Sequence, residues 1–163
     1  AIQVRFTPKT VLENAAEVMT GRIHRAHAKG IAAYDAWAKA ILTDSEFPEQ
    51  AVLPLLAERL MCHADAMDCL ADGRHSAAEY LRSLLPAYPA CRARLGEAVA
   101  CFETVSGTLD RMARVLGGWQ RGEEEMRKFA RPEVRRQLAE LIFAAKDADQ
   151  RALDILTELA AAF

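Results

Sequence analysis

Hydrophobic residues recur with a helical period along most of the chain, and the segment 54–85 shows this pattern best. Its apolar positions alternate in steps of four and three residues, the spacing of a heptad seam along one face of a helix. The seam consists of Leu56, Leu60, His63, Met67, Leu70, Arg74, Ala77, Leu81 and Leu84. Alanine follows the seam on one side, and acidic residues occupy the water-facing position. The pattern therefore predicts one long amphipathic helix that continues through Gly73.

Proline and glycine divide the rest of the chain into similar segments. Several of these segments begin with a proline, which suits the first turn of a helix, and Gly30 separates the first two. The predicted helices cover about 8–28, 31–43, 54–85, 90–116 and 132–162. The sequence therefore predicts one all-α domain over 1–163, folded as an antiparallel up-and-down helical bundle of four to five helices.

The last two predicted helices are joined by a long connection that has room for one helical turn, and the acidic triplet Glu123–Glu125 within it is expected to be a solvated loop. In the segment 132–162, the predicted seam is Leu138, Leu141, Ala145, Ala148, Ala152, Ile155 and Leu159. The small side chains at its centre predict close contact with a neighbouring helix. Asp149 lies beside this seam, between Ile142 and Leu156.

Composition narrows the classes of function. The chain has 21 Lys and Arg against 23 Asp and Glu, a formal net charge of -2, so no basic surface for nucleic acid or anionic lipid is predicted. No apolar run approaches the roughly 20 residues that cross a membrane, and no signal peptide is recognised. The four cysteines form no Cys-x-x-Cys pair, which favours reduced thiols in a bacterial-type cytoplasm. We therefore expect a cytoplasmic protein with no nucleic-acid or membrane partner.

Two polar residues, His63 and Arg74, interrupt the seam of 54–85. An unpaired buried charge is costly, and arginine stays protonated in proteins. Arg74 therefore needs a carboxylate or a ligand anion. Asp149 is the best candidate within the chain, ahead of Glu79 and Glu103, because it is the only acid at a core-flanking position of 132–162. Two interpretations stay open: a structural buried pair, and a pocket in which Arg74 and His63 face a ligand. Because the two residues would lie about 16 Å apart along the helix, they would mark the two ends of one pocket or two separate sites.

The first functional hypothesis is a non-catalytic binding or accessory module that holds a small anionic ligand. Arg74 would make a charge-assisted contact to the ligand, and aromatic side chains would shield that contact from water. The predicted ligand-binding residues are Tyr34, Trp37, His63, Arg74 and Asp149. No Gly-x-Ser-x-Gly motif and no recognisable Cys/His catalytic setting occurs in the sequence, which favours a protein that is not an enzyme.

The second hypothesis is a structural or interaction protein. The alanine-lined faces of 54–85 and 132–162 would form a homodimer, because small side chains allow two helices to approach closely. Arg74 and Asp149 would then be a buried pair that sets the register of the helices.

The third hypothesis is a metal-binding bundle. His24 and His27 are spaced i and i+3, so on a helix they share one face and could chelate a divalent ion, with His63 as a further ligand. The Glu-x-x-His pairs of di-iron bundles are missing. No other cofactor is expected.

Four segments follow one another in the same order as the helices of a known family: "GIAAYDAWAKAIL", "HADAMDCLADGRHSAAEYLRSL", "LGEAVACFETVSGTLDRMARVL" and "RRQLAELIFAAKDADQRALDIL". The matching positions are Gly30, Ala33, Tyr34, Trp37, Arg74, Ala77, Ala78, Tyr80, Leu81, Glu97, Ala98, Ala145, Asp149 and Ala152. The pattern resembles the helical region of a bacterial family whose longer members carry a papain-like domain similar to the butirosin-biosynthesis acyltransferase. The resemblance implies an accessory or ligand-sensing helical module. It carries over no catalytic residue, because the papain-like nucleophile and base would lie in a domain that this sequence does not contain.

Overall fold

A computed structural model describes residues 6–21, 27–48 and 51–163. The described residues form helices joined by short connections, which confirms the all-α prediction. The helices are α1 (Pro8–Thr20), α2 (Ile31–Leu42), α3 (Leu53–Leu84), α4 (Arg92–Leu116), α5 (Glu123–Phe129) and α6 (Pro132–Ala162). Single 3₁₀ turns follow α2 at Asp44–Glu46 and precede α4 at Pro89–Cys91. None of the helices in the described ranges is long and apolar enough to cross a membrane.

Helix α6 lies at the centre of the core, where it packs against α4, α1 and α2, while α3 packs against α4 and α5. The start and the end of α2 both contact α6. Tyr34, near the start of α2, donates a hydrogen bond to Asp149, and the carbonyl of Ile41, near its end, accepts one from Arg135. Helix α3 runs without a break through Gly73, as the seam predicts.

The first helix is shorter than predicted, because α1 ends at Thr20 and residues 27–30 are not helical. Gly21 and Gly30 both have positive φ, 69° and 57°, a conformation that residues with a Cβ atom rarely adopt. Their backbones also touch, since a Cβ atom added to Gly30 would lie 2.7 Å from the Cα atom of Gly21. The prediction of a helix over 8–28 is therefore wrong at Gly21 and at residues 27–28, while residues 22–26 lie outside the described residues.

The acidic triplet Glu123–Glu125 is the first turn of α5, so the prediction of a loop is wrong there. Acidic side chains stabilise the amino-terminal end of a helix, where the backbone N–H groups point outward. The carboxylate of Glu125 accepts a hydrogen bond from the backbone N–H of Gly122 at 3.0 Å. At the other end of α5, Phe129 is fully buried, so this short helix covers one end of the core.

The buried face of α6 differs from the predicted seam. Ile142 is fully buried, whereas Leu141 is only half-buried. Because α4, α1 and α2 all contact α6, its buried face is wider than a two-position seam. That wider face includes Asp149, which is fully buried. The sequence had predicted this residue at the edge of the seam.

Candidate ligand-binding site

Arg74, Asp149 and Tyr34 form a hydrogen-bonded network in the core. The Nε atom of Arg74 donates to Asp149 Oδ1 at 2.7 Å, and its Nη2 atom donates to Oδ2 at 2.5 Å. The hydroxyl of Tyr34 donates to the same Oδ2 atom at 2.6 Å. Asp149 has no exposed surface, so these three donors replace the water that its carboxylate loses on folding. The predicted Arg74–Asp149 pair is present, and Tyr34 is its third member.

Burial and charge together keep the two donors of this network, Tyr34 and Arg74, protonated. Burial raises the pKa of Tyr34, and the negative charge of Asp149 raises it further, so the phenol remains a donor. Burial lowers the pKa of Arg74, but the hydrogen bonds and charge of Asp149 outweigh that effect and raise it overall. The guanidinium of Arg74 therefore remains a donor as well.

Arg74 keeps hydrogen-bonding capacity that Asp149 does not use. Its side chain is 19% exposed, in contrast to the 0% of its partner. A guanidinium has five N–H donors, and among the described residues the Nη1 atom has no partner on the protein. The guanidinium also lies over the ring of Phe102, 5.6 Å from its centroid. The free donors are available to a molecule that approaches from the exposed side.

Arg74 lines a cleft between α3 and the pair α1–α2, here called the Arg74 cleft. Its volume is about 280 Å³. Its walls are Val18, Met19, Gly30, Ala33, Tyr34, Trp37, Ala66, Leu70 and Arg74. A second cleft of about 450 Å³ between α1 and α3 shares Val18, Met19 and Arg74 with it. Among the described residues that line either cleft, Arg74 is the one charged side chain.

Trp37 and His63 form a separate pair next to this network. The indole Nε1 of Trp37 donates to His63 Nδ1 at 3.0 Å, and the ring centroids are 5.3 Å apart. The imidazole also stacks on Phe129, with centroids 4.8 Å apart. Because an indole N–H can only donate, Nδ1 must be unprotonated, and the proton of the neutral ring lies on Nε2. His63 is therefore held as the Nε2–H tautomer.

Burial lowers the pKa of His63 from 6.5 to about 4. An unfolded chain binds a proton at this residue near pH 6.5, and the folded chain does so only near pH 4. The free energy of unfolding should therefore fall as the pH decreases through this window, by about 2 kcal/mol at pH 5 and about 3 kcal/mol at full loss. Urea unfolding near pH 7, 6 and 5 measures the effect.

The glutamine variant His63→Gln is the control for this pH dependence. Its amide can accept the Trp37 hydrogen bond but does not titrate. The exposed His27 and His75 are present in both chains, so their contributions cancel in the difference. Equal slopes of stability against pH for the two chains would contradict a buried neutral His63.

The structure describes two of the three histidines of the metal hypothesis, His27 and His63. His24 lies outside the described residues. His27 is exposed beyond the end of α1, whereas His63 is buried in α3 with its Nδ1 atom engaged by Trp37. Within the described ranges, no group of three or more His, Cys, Asp or Glu residues is placed to hold a metal ion. The predicted trio therefore has no geometric support among the residues that the structure describes.

Sequence reasoning missed a second buried arginine, Arg135. Its Nη1 atom donates to the Ile41 carbonyl at 2.9 Å, its Nη2 atom donates to Asp44 at 2.7 Å, and its guanidinium lies 4.4 Å from the ring centroid of Phe47. Its side chain is 2% exposed. The signal that identified Arg74, a charged residue in line with the apolar face of its helix, was also present here, because Arg135 precedes Leu138 and Ile142 at helical spacing. The predicted seam had passed through Leu141 instead.

We compared the chain with models of protein families, with curated proteins and with solved structures, and none of them matches it. The resemblance to the bacterial family with a papain-like domain stays a prediction. The assignment of function therefore depends on the geometry of the clefts and on the side chains that line them.

Proposed function

We propose that this protein is a non-catalytic binding module that holds a small amphiphilic anion in the Arg74 cleft. The observation that carries the proposal is the state of Arg74. Its guanidinium is oriented by a fully buried carboxylate, yet its Nη1 donors have no partner among the described residues and the side chain is part-exposed in an apolar cleft. Ligand pockets of this kind combine apolar walls with a few oriented polar groups.

The charges around Arg74 limit the ligand that it would prefer. Asp149 neutralises the guanidinium, so long-range attraction for an anion is weak and the contact is a short-range, charge-assisted hydrogen bond. The apolar walls contribute the rest of the binding free energy. A small carboxylate with an alkyl chain meets both conditions, because its head can reach Nη1 while its chain lies along Met19 and Leu70.

We propose further that the helices form an antiparallel up-and-down bundle in which α1 and α2 together take the place of one helix. Two contacts support this arrangement. Tyr34 and Ile41 meet α6 at Asp149 and Arg135, so α2 follows α6 in the opposite direction. The close approach of Gly21 and Gly30 places the start of α2 beside the end of α1.

A homodimer through the alanine-lined faces is supported less well. On α6 the three alanines of the predicted seam, Ala145, Ala148 and Ala152, are all fully buried within the chain. On α3, Ala64 and Ala78 are buried as well. These faces are already in contact with the chain's own helices, so they offer little surface to a second copy.

Calorimetric titration with octanoate, and with octylamine as the probe of opposite charge, tests the proposed site. We expect octanoate to bind with one molecule per chain and octylamine to bind at least about tenfold more weakly, because only the carboxylate accepts the hydrogen bond from Arg74. The variant Ala66→Phe fills the cleft from α3 and should weaken octanoate binding by more than about tenfold.

The matched control is Ala93→Phe, which adds the same ring at an exposed position of α4. It should bind octanoate like the unmodified chain. Octanoate that fails to bind, or that binds equally well to the Ala66→Phe chain, would contradict the proposal. Equal binding of octanoate and octylamine would show that Arg74 does not select the ligand.

A further inference from the structure

A third cleft lies on the other side of Trp37, and its chemistry differs from that of the Arg74 cleft. It has a volume of about 460 Å³ and is here called the His63 cleft. Its aromatic walls are Trp37, Phe47 and Phe129, and His63 and Arg59 of α3 also line it. Trp37 is the one described residue that lines both the His63 cleft and the Arg74 cleft. The two sites are therefore neighbours separated by an indole ring.

Two buried N–H donors beside this cleft lack partners. Among the described residues, His63 Nε2 and Arg59 Nε are both buried and make no hydrogen bond. Unpaired buried donors are rare because each loses its hydrogen bonds to water on folding without gaining a partner. Arg59 and His63 are spaced i and i+4 on α3, so their side chains are neighbours on one face. A third unpaired donor, Arg135 Nε, belongs to the guanidinium that lies over Phe47, another wall of this cleft.

The tautomer of His63 determines what it can bind. Because Trp37 donates to Nδ1, the Nε2 atom carries the proton and has no lone pair for a metal ion or for proton abstraction. It can only donate a hydrogen bond. The side chain is 2% exposed, so the bond would form in a water-poor environment where it is worth more than in bulk water.

The charges near the cleft favour a neutral acceptor over an anion. The guanidinium of Arg59 is already paired with Glu46 at 2.5 Å and lies 3.5 Å from Glu58. Lys39 is the other cation among the described residues that line the cleft, and it brings the net charge of this group of four side chains to zero. An ionised carboxylate next to the neutral imidazole would be desolvated without a compensating charge. A neutral carbonyl oxygen would accept the hydrogen bond at a smaller desolvation cost.

We propose that the His63 cleft is a second binding site, which takes a flat aromatic ligand whose neutral carbonyl oxygen accepts hydrogen bonds from His63 Nε2–H and Arg59 Nε–H. The ring of the ligand would lie among Trp37, Phe47 and Phe129, where aromatic groups favour stacked or edge-on contacts. This site is independent of the Arg74 cleft, because its donors, walls and preferred ligand are different.

Benzamide is the probe, and toluene is the matched ring without a carbonyl group. The chain has two tryptophans, so a ¹H–¹⁵N spectrum shows two indole N–H signals, and Trp119→Phe assigns them. Benzamide should shift the Trp37 signal in a saturable way and leave that of Trp119, which is exposed beyond α4, unchanged. We expect benzamide to bind about fivefold to tenfold more tightly than toluene.

Two variants locate the binding site. Ala40→Phe adds a ring at an exposed position of α2 that lines the His63 cleft, and it should reduce benzamide binding at least about tenfold. Ala66→Phe fills the Arg74 cleft and should leave benzamide binding unchanged. An unmoved Trp37 signal, equal affinity for toluene, or loss of benzamide binding in Ala66→Phe alone would each overturn the proposal. None of these outcomes depends on whether octanoate binds at Arg74.

Discussion

Replacing Arg74 by methionine is expected to lower the free energy of unfolding by about 3–5 kcal/mol. The substitution keeps most of the apolar stem but removes the guanidinium from Asp149. That carboxylate has no exposed surface and would keep a single donor, the hydroxyl of Tyr34. Urea unfolding at neutral pH, followed by circular dichroism, measures the loss.

Removing the other partner should cost less, because the two residues differ in exposure. In Asp149→Leu the guanidinium of Arg74 is left unpaired, but its side chain is 19% exposed and water in the cleft can solvate it. We expect the free energy of unfolding of this variant to fall by about 2 kcal/mol. In the double variant, Arg74→Met with Asp149→Leu, the free energy of unfolding should be only about 1–2 kcal/mol lower than in the unmodified chain, because only the Tyr34 hydroxyl is left without a partner.

An exposed ion pair that joins α6 to another neighbouring helix, α2, is the control. Lys146 of α6 binds Asp35 of α2 at 2.7 Å, with side chains 27% and 55% exposed. Lys146→Ala should cost less than about 1 kcal/mol, as exposed pairs do. A loss for Arg74→Met as small as that control, or a double variant as unstable as the sum of the single ones, would show that Arg74 and Asp149 are not coupled.

Replacing Gly30 by alanine is expected to destabilise the fold by about 3 kcal/mol or more. Gly30 has φ 57° and ψ -139°, a combination that is nearly restricted to glycine and costs other residues about 1–3 kcal/mol. The added methyl group would also lie 2.4 Å from the Met19 carbonyl oxygen and 2.7 Å from the Gly21 Cα atom. Neither backbone atom can move without separating α1 from α2.

Gly73 is the control glycine, because its replacement by alanine is expected to stabilise the fold. It lies in the middle of α3, and an added methyl group would meet no atom within 4 Å. Alanine favours a helix over glycine by about 1 kcal/mol, so Gly73→Ala should stabilise the chain by about that amount. Urea unfolding of both variants is the measurement. A Gly30→Ala chain as stable as the unmodified one would contradict the close approach of α1 and α2.

The all-α fold and the Arg74–Asp149 pair could be predicted from the sequence because both depend on local periodicity. A charge inside a heptad seam needs a partner, and few acids occupy core-flanking positions of another helix. The end of α1 at Thr20 could not be predicted in this way. It depends on contact between the Gly21 and Gly30 backbones, which are nine residues apart, and helical periodicity carries no information about such a contact.

The geometry of the clefts was equally inaccessible to sequence reasoning. The first hypothesis placed the five predicted site residues around one pocket, with two separate sites at His63 and Arg74 as an alternative. Tyr34, Arg74 and Asp149 form one network, Trp37 and His63 form a pair, and Trp37 lines both the Arg74 cleft and the His63 cleft. The buried ring of Phe129 in α5 explains the His63 cleft. This ring stacks on His63, and it belongs to a segment for which the sequence predicts a connection.

Native mass spectrometry tests the central claim, that the Arg74 cleft binds a small ligand, most directly. The unmodified chain and the Ala66→Phe variant would be measured as purified and again after addition of octanoate. We expect one added molecule per unmodified chain, either retained from the cell or supplied as octanoate, and no such addition on the variant. A bare unmodified chain under both conditions, or equal addition to both chains, would contradict the claim and leave Arg74 as a purely structural residue.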